Sequence, residues 1–168
     1  RLIRATIYLE LLQHYARPYA DGNGSKPGLP LRLTGIKESG ASALARSTVA
    51  EVYTQILSDL NFAETNLPLT YASAILNTTR AHRNTAIALK SRVYLAMQNY
   101  PAAVTEATKI VPQATAPFSA TTGVAHALQA NIVNVFRAPY STTESILSMP
   151  MTATAGDNPG TQNQLGFY

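Results

Sequence analysis

Residues 84–112, NTAIALKSRVYLAMQNYPAAVTEATKIVP, carry the pattern that decides the fold. The stretch reads as two short helices joined by a tight corner, with the spacing of a tetratricopeptide-type helix pair. Small side chains such as Ser91 and Ala103 let the two helices approach closely, and Tyr94 and Tyr100 are placed to wedge the corner. Such a pair cannot bury its apolar face alone, so we predict a stacked helical scaffold.

Outward from this stretch, prolines and capping residues divide the chain into helices and loops, and the predicted fold is mainly all-α. Two helix pairs are predicted, 1–16 with 48–67 and 84–98 with 100–111. Loops are predicted at 17–46, 68–83 and 113–125. Shorter elements are predicted after them, a helix at about 126–136 and a strand at 145–151.

The first two helices carry the clearest apolar stripes. In helix 1–16 one stripe recurs at every fourth residue, at Ile3, Ile7, Leu11 and Tyr15, with Leu12 beside it. In helix 48–67, Thr48 and Glu51 have the spacing of a capping box. The apolar stripe that follows is Val49, Val52, Tyr53, Ile56, Leu57, Leu60, Ala63 and Leu67. Asp59 and Glu64 are predicted to lie off this stripe, on a solvated face.

Composition narrows the class of partner. Apolar residues make up 46% of the 168, which is enough for a core within one domain or a large part of one. The net charge is +4, but the 13 Lys and Arg residues are scattered rather than clustered. No basic run that could track a phosphate backbone is present, so nucleic acid is not an expected partner. The absence of cysteine excludes disulfides and thiolate metal sites in this sequence.

Catalytic and metal-binding patterns are absent from the sequence. His14, His82 and His126 share no metal-ligand spacing, and no nucleophile elbow or acid pair stands out. We therefore predict no enzyme, no catalytic residue, no metal site and no cofactor; a helical glycosidase would need a pair of acids in a cleft. Arg80 and Arg83 flank His82 in a basic cluster that we interpret as a solvated face, with docking of a partner as the alternative.

Five sequence blocks, in order along nearly the whole chain, resemble those of the SusD/RagB family. The blocks are Arg4-Ala5 with His14-Tyr15-Ala16-Arg17-Pro18-Tyr19; Gly28-Leu29-Pro30-Leu31; Arg46-Ser47-Thr48-Val49-Ala50-Glu51-Val52-Tyr53; Arg92-Val93-Tyr94-Leu95 leading into Asn99-Tyr100-Pro101-Ala102-Ala103; and Glu144-Ser145-Ile146-Leu147-Ser148-Met149-Pro150. Members of this family are surface lipoproteins of Gram-negative outer membranes that capture glycans for a TonB-dependent transporter.

The resemblance implies that residues 1–168 are part of a single SusD-like domain with a tetratricopeptide-like α-α superhelix and long loops. It also implies non-catalytic capture of a glycan, delivery to a TonB-dependent SusC-like transporter, and a surface-exposed lipoprotein of the outer membrane. We expect the chain to be a fragment, with its lipid anchor outside this segment. A generic tetratricopeptide-type scaffold for protein–protein interaction is the alternative function.

The segment 21–28, DGNGSKPG, is rich in glycine, and its simplest interpretation is a surface turn. The alternative hypothesis is a ligand-contact loop, with Tyr19 as a stacking platform for a sugar ring and Asp21 and Asn23 as hydrogen-bond partners for hydroxyl groups. Asp21 and Asn23 also have the alternate spacing of a calcium loop. An EF-hand is nevertheless excluded, because Lys26 stands where glycine is required.

Overall fold

The computed structural model describes residues 1–37, 40, 42–137 and 141–149. Within these ranges lie five α-helices: α1 Leu2–Tyr15, α2 Val49–Asn66, α3 Ala74–Thr79, α4 Arg83–Ala96 and α5 Tyr100–Thr108. A 3₁₀ helix follows at Ile132–Phe136, and no strand forms in the described residues, so the fold is all-α. None of the helices found there is long and apolar enough to cross a membrane.

Four of the helices pack one after another into a single helical layer. α1 packs on α2, α2 on α4 and α4 on α5, and α1 also touches α4. The main core lies between α1, α2 and α4, with Leu9, Ile56 and Val93 at its centre. The corner between α4 and α5 is closed by Ser91, whose hydroxyl donates to the carbonyl of Ala103 at 2.9 Å. This sequential packing is that of a helix-repeat scaffold.

α2 begins where its capping residues predict. The amide of Glu51 donates to Oγ1 of Thr48 at 3.2 Å, and the amide of Thr48 donates to Oε2 of Glu51 at 2.7 Å. The capping box is therefore confirmed, with both residues satisfying each other's free amide. The predicted apolar stripe is confirmed as well, since Val52 and Ile56 are fully buried.

The prediction for α1 is wrong about which face is buried. Four side chains spaced as i, i+3, i+4 and i+7 enter the core, namely Ala5, Tyr8, Leu9 and Leu12. The predicted stripe is exposed instead, with Ile3 at 73% and Tyr15 at 70% of full exposure. Apolar side chains occur all round this helix, so periodicity alone could not select the buried face. Tyr100, predicted to wedge the α4–α5 corner, is likewise exposed.

Residues 68–83, predicted to be a loop, contain the short helix α3. Its first turn is capped by Ser73, whose hydroxyl accepts from the amide of Leu76 at 3.4 Å. The predicted helix at 126–136 shrinks to the 3₁₀ helix Ile132–Phe136, because residues before it are held by loop contacts such as the bridge between Ser119 and Ala127. A local cap therefore starts a helix in the predicted loop, and loop contacts shorten the predicted helix.

The predicted strand at 145–151 does not form in the residues that the structure describes, which end at Met149. Its amides bind elsewhere: Ser145 donates to the carbonyl of Thr142 at 3.2 Å, and Ser148 donates to the carbonyl of Thr78 at 2.6 Å. A strand needs hydrogen bonds to a neighbouring strand. This segment instead bonds to α3 through Ser148 and to its own turn through Ser145.

Asp59 and Glu64 lie in ion pairs between helices rather than on a solvated face. Asp59 of α2 is 1% exposed and accepts from Nε and an Nη of Arg4 of α1 at 2.7 and 2.6 Å. Burial acts to raise the pKa of Asp59, but the hydrogen bonds from Arg4 and Gln55 outweigh burial and lower it. The acid thus fixes α1 against α2 as a charged group.

A second ion cluster joins α2, α4 and α5. Lys90 of α4, whose side chain is 3% exposed, pairs with Glu64 and with Glu106 at 3.0 Å and donates to Asn61 at 3.1 Å. Lys109 pairs with the same two acids at 3.1 and 2.8 Å. Burial acts to lower the pKa of Lys109, but hydrogen bonds to the acids prevail and raise it to about 12.

Candidate functional site

The loop from Arg17 to Gly28 is held against the first turn of α2 by its backbone. The carbonyl of Gly24 accepts from the amide of Ala50 at 2.9 Å, and the carbonyl of Lys26 accepts from the amide of Val49, also at 2.9 Å. The first amides of a helix have no partner within the helix, so these two carbonyls satisfy groups that would otherwise need water. The loop is therefore an ordered extension of the helical layer.

Tyr19 is the aromatic side chain that this loop fixes in place. Its ring stands edge-on to that of Tyr53, with the centroids 5.5 Å apart and the planes at 81°. Its carbonyl accepts from the amide of Gly24 at 2.8 Å. The half-buried ring lines a cleft of about 200 Å³ that also includes Gln13, Arg17 and Tyr53. This arrangement leaves a rigid aromatic wall beside two exposed polar side chains.

Asp21 and Asn23 lie on the outer turn of the same loop. Oδ2 of Asp21 accepts from Nε of Arg17 at 2.8 Å, and this hydrogen bond lowers the pKa of the carboxyl group. Asn23 is exposed and has φ of 52°, in the left-handed region that asparagine tolerates better than most residues. The structure thus brings Tyr19, Asp21 and Asn23 onto one short turn, and their role as ligand contacts stays a prediction.

Gln13 and Arg17 belong to this cleft, and neither was predicted as a site residue. Arg17 precedes Asp21 by four positions, so the ion pair between them could have been anticipated from spacing alone. Gln13 could not, because its place in the cleft depends on how the end of α1 meets the loop.

Gly24 is the position at which the loop tolerates least change. Its φ is +77°, and an added Cβ would lie 2.7 Å from Cε2 of Tyr19 and 2.9 Å from Cβ of Ala50. We expect Gly24→Ala to lower the free energy of unfolding by about 2 kcal/mol, because the backbone is strained and the Tyr19 ring must move. Urea unfolding followed by circular dichroism measures this change.

Gly35→Ala is the matched control, because a Cβ at Gly35 would meet no atom within 4 Å and its φ is not left-handed. A Gly24→Ala variant as stable as the Gly35→Ala variant would contradict the tight contact between the loop and α2.

The aromatic side chains of two other loops, Tyr71 and Phe118, contact the protein itself and do not line this cleft. Tyr71 donates its hydroxyl to the carbonyl of Ala81 at 2.8 Å, which anchors the loop before α3. Phe118 lines a separate pocket of about 330 Å³ with apolar neighbours such as Ile110 and Leu128. That pocket offers few polar groups to a hydroxyl-rich ligand. Tyr140 and Tyr168 lie outside the described residues.

The basic cluster predicted before α4 is only partly a solvated face, since Arg80 is exposed but its neighbours are not. His82 is fully buried and is the N-cap residue of α4, while Arg83 donates to Oγ1 of Thr122 at 2.9 Å. Asn84 of α4 is buried and donates to the carbonyl of Thr122 at 3.3 Å. Tertiary contacts with the 118–128 loop therefore override the local polarity of this segment.

Comparison with known families matches the part of the chain that holds the first three sequence blocks and the start of the fourth. Residues 2–95, which contain the loop and every residue lining its cleft except Ala96, match the SusD-like family whose description is starch-binding and associating with the outer membrane. The chain belongs to the SusD-like family. No curated protein matches it significantly.

Solved SusD structures share both the fold and a moderate level of identity. A SusD superfamily protein of Bacteroides fragilis is 30% identical with a TM-score of 0.73, over 90% of this chain and 32% of that one. A candidate sugar-binding protein of Bacteroides vulgatus is 34% identical with a TM-score of 0.53, over 64% of this chain and 23% of that one. A SusD superfamily protein of Bacteroides thetaiotaomicron is 29% identical with a TM-score of 0.57, over 64% and 22%. The chain therefore spans a third or less of the length of these relatives.

Proposed function

We propose that this SusD-like chain belongs to a protein that captures a glycan at the outer-membrane surface without chemical change and delivers it to a TonB-dependent SusC-like transporter. The family description and the sugar-binding name of one relative support the ligand class. The protein would be a surface-exposed lipoprotein, anchored through a lipid outside this segment. The helical layer would form the scaffold on which the transporter docks.

The observation that carries the capture proposal is the fixed ring of Tyr19 beside exposed polar groups. A sugar ring has an apolar face that packs on a flat aromatic side chain, while its hydroxyl groups need donors and acceptors around the rim. Tyr53 packs on the Tyr19 ring and the Gly24 amide holds the Tyr19 carbonyl before any ligand arrives, so little entropy is lost on binding. Asp21, Asn23 and Arg17 supply polar groups on the same turn.

Calorimetry of the full-length protein against soluble polysaccharides, with starch included, tests this proposal. We expect one glycan to bind, and Tyr19→Ala to weaken its binding about tenfold, which corresponds to about 1.4 kcal/mol of lost stacking. Asp21→Asn and Asn23→Gly should each weaken binding about threefold. The free energy of a threefold change is smaller than the contribution of one hydrogen bond to a charged group. Glycine at position 23 keeps the left-handed backbone and removes only the amide side chain.

Tyr15→Ala is the matched control, because Tyr15 is an exposed tyrosine of α1 that does not line the cleft. Its variant should bind as the unmodified protein does. If Tyr19→Ala binds the glycan as tightly as the unmodified protein does, the loop is not part of the binding site. The capture proposal itself would still hold. Failure of every polysaccharide to bind would refute capture itself.

A protein–protein scaffold is the second candidate function, and the exposed face of α1 favours it. Ile3, Ile7, Leu11 and Tyr15 lie along the helix, and each is more than a third exposed. An apolar stripe of this length is a common feature of surfaces that bind proteins. The capture proposal also leaves this stripe free to bind a protein partner. A binding experiment with glycans therefore separates the two functions, because only the capture proposal requires a glycan to bind.

A further inference from the structure

Two buried histidines stack on each other where residues 142–148 meet the helical layer. His82 at the start of α4 is fully buried, and His126 in the loop before the 3₁₀ helix is 5% exposed. Their ring centroids are 5.3 Å apart and the planes are inclined by 25°. A charge on either ring would lie away from water and beside the other ring, so the stack is favourable when both rings are neutral.

Each ring binds a carbonyl of the same short segment. Nε2 of His82 lies 3.1 Å from the carbonyl oxygen of Ile146, and Nδ1 of His126 lies 3.1 Å from that of Thr143. A carbonyl only accepts, so these two nitrogens carry the hydrogens, and this fixes the tautomer of each neutral ring. Within the part of the chain that the structure describes, the remaining buried nitrogens, Nδ1 of His82 and Nε2 of His126, have no hydrogen-bond partner. A second proton on His126 would therefore gain no acceptor there, whereas the carbonyl of Asn77 acts to raise the pKa of His82 without outweighing its burial.

Further hydrogen bonds link the segment to the described residues around it. Two of them come from Gln129, whose amide donates to Oε2 of Glu144 at 2.8 Å and whose Nε2 donates to Oγ1 of Thr143 at 2.7 Å. The amide of Ser148 donates to the carbonyl of Thr78 at 2.6 Å. Thr143 exchanges bonds with Ala127: its carbonyl accepts from the Ala127 amide at 3.1 Å, and its hydroxyl donates to the Ala127 carbonyl at 3.0 Å. Since Ala127 adjoins His126, displacement of that histidine would also disturb this pair of bonds.

The charged groups on the surrounding elements are engaged elsewhere. Arg83 of α4 donates to Thr122, and Arg80 is exposed at the end of α3. Glu144 shares the apolar pocket with His126, but its Oε2 accepts from the amide of Gln129 at 2.8 Å. None of these three side chains makes a hydrogen bond to either ring within the described residues. Burial lowers the pKa of both rings, and His126 lowers that of His82 further.

We propose that the His82–His126 stack is a pH-sensitive latch that holds residues 142–148 on the helical layer while both rings are neutral and releases them when a ring is protonated. A released ring titrates near the ordinary pKa of about 6.5, whereas the stacked ring resists protonation. The released state binds more protons, so it gains population as the pH falls below 6.5. For one ring that stays neutral in the stack down to pH 5, the opening constant should rise about thirtyfold between pH 7.5 and pH 5.

Hydrogen exchange of the full chain at the two pH values tests the latch. The amides of Ala127 and Ser148 report on the segment, and that of Ile56 reports on the helical core. After correction for intrinsic exchange rates, we expect the opening constants of Ala127 and Ser148 to rise about thirtyfold or more at pH 5, with that of Ile56 changing much less. Equal protection of the segment at both pH values would overturn the proposal.

The variants His82→Gln and His126→Asn keep an N–H donor near the position of the bound nitrogen and cannot titrate. The double variant should lose the pH dependence of segment opening. His14→Gln should retain it, because His14 is exposed on α1. Ring-nitrogen NMR of the unmodified chain gives an answer even where a variant fails to fold. Two neutral rings at pH 6 with the tautomers given above support the latch, and a protonated ring in a chain whose segment amides stay protected overturns it.

Discussion

Arg4→Ala is expected to lower the free energy of unfolding by about 3 kcal/mol. The change leaves Asp59, which is 1% exposed, without the two short bonds that it accepts from the guanidinium group. An uncompensated buried charge usually costs about 3–5 kcal/mol, and the lower end applies because the Arg4 side chain is 32% exposed and water can enter. Urea unfolding at pH 7 followed by circular dichroism measures the loss.

A second variant separates the buried charge from the packing around it. Arg4→Met combined with Asp59→Leu removes both charges and fills similar space, so it should recover at least half of the loss. Arg17→Ala removes the exposed pair with Asp21 and should leave the stability unchanged within error. A double variant less stable than Arg4→Ala would show that the charge was not the reason for the loss.

Lys90→Met is expected to lower the free energy of unfolding by a similar amount, about 3 kcal/mol. Lys90 is the most deeply buried member of the ion cluster between α2, α4 and α5, and it pairs with both Glu64 and Glu106. Methionine keeps most of the volume but leaves the two acids sharing the partly exposed Lys109. The same urea unfolding experiment measures the effect.

The second carboxylate provides the test of this explanation. Adding Glu106→Leu to Lys90→Met removes the most buried acid along with the lysine, and we expect it to recover at least half of the loss. Lys109→Met, at a side chain that is 38% exposed, should cost about 1 kcal/mol or less. If Lys109→Met proved as costly as Lys90→Met, burial would not be the property that makes Lys90 important.

The sequence predicted those parts of the fold whose signals are local. Thr48 and Glu51 determine the start of α2 by bonding to each other, and the α2 stripe has a polar opposite face. In α1 apolar residues surround the helix, so the buried face depends on where α2 and α4 lie and could not be read from α1 itself. Asp59 was misplaced for the same reason, because its partner Arg4 is distant in sequence.

The candidate site was only partly visible in the sequence. Tyr19, Asp21 and Asn23 fall on one turn because the segment between two prolines is short and rich in glycine. The edge-on contact with Tyr53 and the contribution of Gln13 depend on tertiary packing. The stacking of His82 on His126 could not be predicted either, because the two residues are far apart in the sequence and meet only through tertiary packing.

The loop between Arg17 and Gly28 is attached to α2 through its main chain, by the carbonyls of Gly24 and Lys26. Main-chain attachment places few demands on which side chains the loop carries at its exposed positions. An exposed side chain such as that of Lys26 can therefore be exchanged without loss of the loop's shape, whereas Gly24 cannot be replaced and Asn23 has a left-handed φ that few other residues tolerate. One scaffold could in this way acquire new ligand preferences by point substitution, and the same exposed positions are the natural choice for a combinatorial library aimed at altered specificity.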